Sequence, residues 1–144
     1  MTHEDKGHFS KKHPSHRKVK PEIADILKKH LSDEGISCAA AHKVASDLGE
    51  PPAEIGFTSD FLEARIAKCQ LGLFGYLPEK KIVKPAGTVP KTLENAIREH
   101  LKNGLLSCKS AWKIADRLDL KRMVVASACE TLKIKISPCQ LGAF

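Results

Sequence analysis

Residues 37–48 have the sequence SCAAAHKVASDL, and residues 107–118 have the sequence SCKSAWKIADRL, so one helix-sized segment occurs twice, seventy residues apart. The same shift aligns a second string, CQLG, at residues 69–72 and 139–142, with a phenylalanine two positions beyond each copy. Over 52 aligned positions without a gap, the two copies are identical at 15. This similarity indicates an internal duplication, and the chain is expected to contain two copies of one small unit.

Two connecting segments accompany the copies. Residues 1–20 are polar, rich in His and Lys and carry a net charge of +4, so they are expected to form a disordered basic tail. Residues 21–74 are repeat 1 and residues 91–144 are repeat 2. Between them, residues 75–90 contain three prolines and two glycines, which predicts a linker, with a short strand expected at Lys81–Val83.

Apolar spacing predicts three helices in each repeat. The first helix begins near Pro21, and its apolar residues follow the i, i+3, i+4, i+7 spacing of a buried helix face. His30 and His100 occupy matching positions on that face and are predicted to be core histidines with a hydrogen-bond partner. Ser37 and Ser107 precede the second helix, where a serine hydroxyl accepts hydrogen bonds from the first amides.

The end of each repeat predicts a third helix and then a strand. Gly49 suits the left-handed end of the second helix, and the third helix is expected from Pro52 to Glu63. In repeat 2, residues 133–136 (KIKI) alternate between polar and apolar, as a strand with one buried side does. Too few residues follow for a returning strand, so this strand is expected to pair with its equivalent in repeat 1 or in a second chain. The glycine of the CQLG string is expected to permit a bend, with the phenylalanine that follows tucked under the helices. The predicted fold class is mainly α, with two tandem three-helix units that are each followed by a short β-strand.

Residues 41–60 (AHKVASDLGEPPAEIGFTSD) resemble the twenty-residue core of helix-turn-helix DNA-binding domains of the winged-helix kind. The small residue Ala45, the turn residue Gly49 and the aliphatic residue Ile55 have the spacing of that core. Repeat 2 has Asp119 at the glycine position, and aspartate adopts the left-handed conformation more readily than most residues. The resemblance implies tandem helix-turn-helix-like units.

In such domains the third helix enters the DNA major groove, so the resemblance implies a role for basic residues there. The predicted DNA-binding residues lie at and after the third helix of repeat 2: Lys121, Arg122, Ser127, Lys133 and Lys135. Lysine and arginine neutralise phosphates, and arginine also pairs with guanine. Repeat 1 has Glu54 and Asp60 in its third helix, which favours a protein partner there. Double-stranded DNA is therefore expected to bind mainly through repeat 2.

Each repeat carries two matched cysteines whose role the spacing leaves open. Cys38 corresponds to Cys108, and Cys69 corresponds to Cys139. Thiolates of these residues are candidate ligands of zinc or an iron–sulfur cluster, or members of a redox switch. Paired zinc-binding cysteines usually lie about two to four residues apart, however, and these lie about thirty apart. Core packing is the favoured interpretation, with no metal or cofactor predicted, and Cys129 has no counterpart in repeat 1.

Composition narrows the function classes further. The net charge of +7 favours anionic partners, but repeat 1 has nine acidic residues against five basic ones, while repeat 2 has ten basic against five acidic. No run is long and apolar enough to cross a membrane, and no signal peptide precedes the repeats, so a cytoplasmic protein is expected. Motifs of hydrolases, kinases and metalloproteases are absent from the sequence, which argues against an enzyme. The sequence therefore predicts a DNA-binding transcriptional regulator, with a protein-interaction adaptor or a thiol-based metal or redox sensor as alternatives.

Overall fold

A computed structural model describes residues 18–76 and 80–143, and within them the chain is mainly helical, which confirms the predicted class at that level. In chain order the elements are α1 (Pro21–His30), β1 (Ile36–Ser37), α2 (Cys38–Leu48), α3 (Pro52–Phe61), β2 (Ile66–Ala67), α4 (Lys91–Glu99), β3 (Leu105–Leu106), α5 (Cys108–Arg117), α6 (Arg122–Leu132) and β4 (Lys135–Ile136). Most of the tail predicted over residues 1–20 lies outside the described residues, as does Phe144.

Two compact units divide the chain, and their bounds differ from those of the sequence repeats. Unit 1 combines the chain up to Cys69 with the segment that begins at Gln140. Unit 2 runs from Gln70 to Cys139. The segment of repeat 1 that begins at Gln70 therefore belongs to unit 2, and the segment of repeat 2 that begins at Gln140 belongs to unit 1. We call these two the exchanged segments.

Each unit has its own apolar core between three helices. The largest fully buried side chains of unit 1 come from all three helices and from β1: Ile23, Leu27, Ile36, Val44 and Ile55. Those of unit 2 include the corresponding positions Ile97, Leu106, Ile114 and Val125. Burying a side chain of this size contributes about 1.5–3 kcal/mol to the stability of the fold. The apolar spacing of the sequence therefore marks the residues that form the two cores.

The strands pair differently from the expectation. β1 pairs with β2 in parallel, and β3 pairs with β4 in parallel, so each strand after a third helix finds its partner in the same repeat. The expected pairing with the equivalent strand, in the other repeat or in a second chain, is wrong. The partner is a two-residue strand immediately before the second helix, where Ile36 and Leu106 are buried.

The helix ends follow the predicted pattern. The Ser37 hydroxyl accepts a hydrogen bond from the Ala40 amide (3.1 Å), and the Ser107 hydroxyl accepts one from the Ser110 amide (3.0 Å). Gly49 ends α2 in the left-handed conformation, with φ of 66°. Asp119 adopts the same conformation, with φ of 55°, so the prediction for the turn of repeat 2 is confirmed.

Three local predictions are wrong. His30 is exposed, whereas only His100 is half-buried, with its Nδ1 atom 2.8 Å from the carbonyl oxygen of Ala96. Lys81–Val83 forms no strand, because the amides of Ile82 and Val83 both donate to the carbonyl oxygen of Gly72. Lys133 belongs to the end of α6 rather than to a strand, since it adopts a left-handed φ of 58° there.

The exchanged segments are held by close backbone approaches. In unit 1, the Leu141 carbonyl lies so near Gly56 of α3 that a methyl group on Gly56 would overlap it. In unit 2, Gly72 has a φ of +74° and lies against the side chains of Met123 and Val83. Glycine thus permits a bend at Gly72, as the sequence predicts, and Gly142 has a similar φ of +78°.

Candidate nucleic-acid interface

The net positive charge of the protein belongs to one unit. Unit 2 contains thirteen Lys and Arg residues against six Asp and Glu residues, whereas unit 1 contains eleven of each. The whole net charge of +7 therefore comes from unit 2. The sequence repeats differ by more, since repeat 1 carries −4 and repeat 2 carries +5. The units differ by less because the +4 of residues 1–20 belongs to unit 1 and offsets its acidic residues.

Three basic side chains line the outer side of α5. Lys109, Lys113 and Arg117 lie at i, i+4 and i+8, so they share one side of the helix, and all three are exposed. In the part of the chain that the structure describes, none of them is in an ion pair. We call these three residues the α5 basic face.

The corresponding side of α2 in unit 1 is different. Its three residues are Ala39, Lys43 and Asp47, and the Lys43 ammonium lies 3.2 Å from the Asp47 carboxylate. That side of α2 therefore carries no net charge. The i, i+4, i+8 spacing of the α5 basic face is visible in the sequence, although a search confined to the third helix misses it.

The predicted DNA-binding lysines lie at the two ends of α6. Lys121 is the residue before α6 and is exposed, only four positions after Arg117. Lys133 and Lys135 follow the other end of α6, and both are exposed. With a rise of about 1.5 Å per residue, about 18 Å separates Lys121 from Lys133 along the helix. Lys121 therefore lies at the turn that follows the α5 basic face, while the other two lysines form a second basic position.

Arg122 has partners within unit 2. Its guanidinium lies over the Trp112 ring, 3.6 Å from the ring centroid, and its Nη1 donates to the side-chain oxygen of Gln70 at 3.5 Å. The quadrupole of the indole attracts a cation above its plane. Arg122 therefore joins α5, α6 and the exchanged segment of repeat 1, and it is only partly exposed.

The linker covers one side of α6, including the predicted residue Ser127. The Ala86 amide donates to the Ser127 carbonyl at 3.1 Å, and the Thr131 hydroxyl donates to the Ala86 carbonyl at 2.7 Å. Beside them, the Lys81 ammonium lies 2.6 Å from the Glu130 carboxylate. Ser127 is consequently half-buried, whereas Val124 in the first turn and Thr131 in the last turn of α6 are exposed.

The third helix of unit 1 offers little exposed surface. All six residues from Ile55 to Asp60 are buried, including the polar side chains of Thr58 and Ser59. These two hydroxyls donate to carbonyl oxygens one turn earlier in α3, so their polarity is satisfied within the helix. The side chains predicted to face a protein partner, Glu54 and Asp60, are therefore only partly exposed or buried.

The cysteines are mostly interior, as core packing predicts. Cys38, Cys69, Cys108 and Cys129 are buried, Cys139 is partly exposed, and none of the five is in a disulfide. Burial raises the pKa of the Cys129 thiol to about 12, with a smaller contribution from the nearby Glu130 carboxylate. Across residues 18–76 and 80–143, no three His, Cys, Asp or Glu residues are grouped as ligands of a metal ion.

Comparison with known proteins adds no relative: no protein-family model, curated protein or solved structure matches this chain. Within the described ranges, no helix has the length and apolar character that crossing a membrane requires.

Proposed function

We propose that the protein binds double-stranded DNA through unit 2 and acts as a transcriptional regulator built from two helix-turn-helix-like units. The observation that carries this proposal is the concentration of the net charge of +7 in unit 2, together with exposed basic side chains that have no acidic partner among the described residues. DNA presents a regular array of phosphates, and lysine and arginine release the counterions that surround it.

The contact surface consists of the α5 basic face and Lys121, with Lys133 and Lys135 as a second point of contact. A spacing of about 18 Å along α6 corresponds to about five base pairs, so both points are within reach of one duplex. Arg122 supports this surface by holding α6 against Trp112. Because the linker covers Ser127, base contacts are expected from the first turn of α6 only.

The experiment is a titration of the full chain into fluorescently labelled, mixed-sequence duplex DNA at several salt concentrations, followed by anisotropy. The wild type is compared with a Lys113→Ala/Arg117→Ala/Lys121→Ala variant. Each phosphate contact contributes about 0.9 to the slope of log affinity against log salt, so the triple variant is expected to lose nearly three from that slope.

The matched control removes three lysines from unit 1, with Lys28→Ala/Lys29→Ala/Lys43→Ala. It has the same net charge as the test variant, and it is expected to keep the wild-type slope. Equal losses in the two variants would mean that only net charge matters, and would contradict a DNA surface on unit 2. The Lys133→Ala/Lys135→Ala variant measures the second contact point.

A protein-interaction adaptor is the second candidate, because the buried α3 of unit 1 argues against DNA contact by that unit and leaves a protein partner only its other elements. A helix-turn-helix unit whose third helix is covered has no free side for the DNA groove. If the wild type binds no duplex at low salt, the DNA proposal fails and the adaptor becomes the leading proposal.

A further inference from the structure

Two cysteines of unit 2 lie next to each other because of the β3–β4 pairing. Backbone hydrogen bonds between the two segments continue at the end of these strands, where the Ser137 amide donates to the Leu106 carbonyl at 2.8 Å. One step further, the Cys108 amide donates to the Pro138 carbonyl at 3.0 Å. Cys139 is bonded directly to that carbonyl carbon, so its backbone lies beside the first residue of α5.

This placement suits a disulfide. The α-carbons of disulfide-bonded cysteines are about 4.4–6.8 Å apart. Two residues joined through one amide–carbonyl hydrogen bond and one peptide bond fall within that range. The two cysteines are thirty-one positions apart in the sequence, so the proximity follows from the strand pairing and not from the spacing.

Exposure distinguishes this pair from its counterpart in unit 1. Cys38 is 5% exposed and Cys69 is 4% exposed, so both residues of that pair are buried. In unit 2, Cys108 is 4% exposed, but Cys139 is partly exposed. An oxidant dissolved in water therefore reaches Cys139 before any other matched cysteine, since oxidation follows thiolate character and access.

We propose that Cys108 and Cys139 form a dithiol that peroxides oxidise to a disulfide. The Cys139 thiolate attacks one peroxide oxygen and breaks the O–O bond, which gives a sulfenic acid and releases water after protonation. The Cys108 sulfur then attacks the Cys139 sulfur, the S–O bond breaks, and a second water leaves with the Cys108 proton. In total, two thiols and one hydrogen peroxide give one disulfide and two waters.

The experiment treats the reduced, full-length protein with hydrogen peroxide, blocks the remaining thiols by alkylation, and identifies cross-linked peptides by mass spectrometry. The expected product is a Cys108–Cys139 disulfide that forms at least about tenfold faster than a Cys38–Cys69 disulfide, because of the difference in access. Cys129 serves as an internal reference that stays reduced, since burial raises the pKa of its thiol.

Two variants report on the order of the steps. Cys108→Ser is expected to accumulate the Cys139 sulfenic acid, which dimedone traps, and Cys139→Ser is expected to leave Cys108 reduced. The wild-type mapping needs no variant, so a folding defect in either would not affect the main result. Equal rates for the two pairs, or oxidation of Cys139 without any cross-link to Cys108, would overturn the proposal. DNA affinity plays no part in this readout, so the proposal stands or fails separately from the proposed function.

Discussion

The Arg122 side chain, at the first residue of α6, packs against Trp112 of α5. Its guanidinium lies 3.6 Å from the centroid of the Trp112 ring. We expect Arg122→Ala to lower the free energy of unfolding by about 0.5–2 kcal/mol, because a partly desolvated cation–π contact is lost. Urea unfolding followed by Trp112 fluorescence measures the change.

The neighbouring substitution Lys121→Ala is the control, since an exposed lysine without an ion pair contributes little to stability. In the DNA titration, Arg122→Ala is expected to keep the salt slope of the wild type. A stable Arg122→Ala variant with a reduced slope would show that the side chain leaves Trp112 and contacts phosphate instead.

At Gly56, replacing a helix glycine with alanine should destabilise the protein, although this substitution usually stabilises a helix. Replacing a glycine inside a helix with alanine ordinarily stabilises a protein by about 0.5–1 kcal/mol. Here the new methyl group would overlap the Leu141 carbonyl, and overpacking of this kind costs about 1–3 kcal/mol. We therefore expect Gly56→Ala to lower the free energy of unfolding, measured by urea titration.

Ser46→Ala provides the comparison for Gly56→Ala, because Ser46 is exposed in α2 and reports the helix propensity alone. Ala126 already occupies the aligned position in α6, so the requirement for glycine is confined to unit 1. A stabilised Gly56→Ala variant would argue against the close approach of the exchanged segment.

At the scale of elements, the start of α5 depends on Ser107. The Ser107 hydroxyl accepts from the Ser110 amide and also donates to the Ser110 hydroxyl at 3.0 Å. Ser107→Ala is expected to cost about 1 kcal/mol of stability, as the loss of an N-cap usually does. Ser110→Ala removes only the hydroxyl contact and should cost less in the same thermal or urea unfolding experiment. Similar losses from both variants would show that the hydroxyl pair, rather than the cap, holds this turn.

Helices and their caps could be predicted because their signals are local. Apolar spacing, a serine before each second helix and Gly49 after α2 all lie within a few residues of the structure that they determine. The strand pairs could not be predicted, because β1 and β3 are two residues long and show no alternation. Their partners are also about thirty residues away, and no local pattern specifies that distance. The same pairing brings Cys108 beside Cys139, so the sequence could not predict that candidate site either.

At the scale of the whole molecule, the duplication was plain in the sequence but the exchange of segments was not. Both copies contain the same CQLG string, so the sequence does not show which third helix each string packs against. The choice depends on contacts made by neighbouring residues, such as Gly56 with Leu141 and Gly72 with Met123. The exchanged segments contain no charged residue, so the positive charge of unit 2 comes from repeat 2 and the linker lysines and was already visible in the sequence.

The exchange also has a consequence for the order in which the protein matures during synthesis. The helices of unit 1 leave the ribosome first, but Leu141 is made about 80 residues after α3 ends. At about 5–20 residues per second, the nascent first unit waits roughly 4–16 seconds for its last segment. All residues of unit 2 have been synthesised once Cys139 is added, just before that segment is made. The first unit to be translated is thus the last to be completed, and its α3 surface around Gly56 is open to chaperones in the interval.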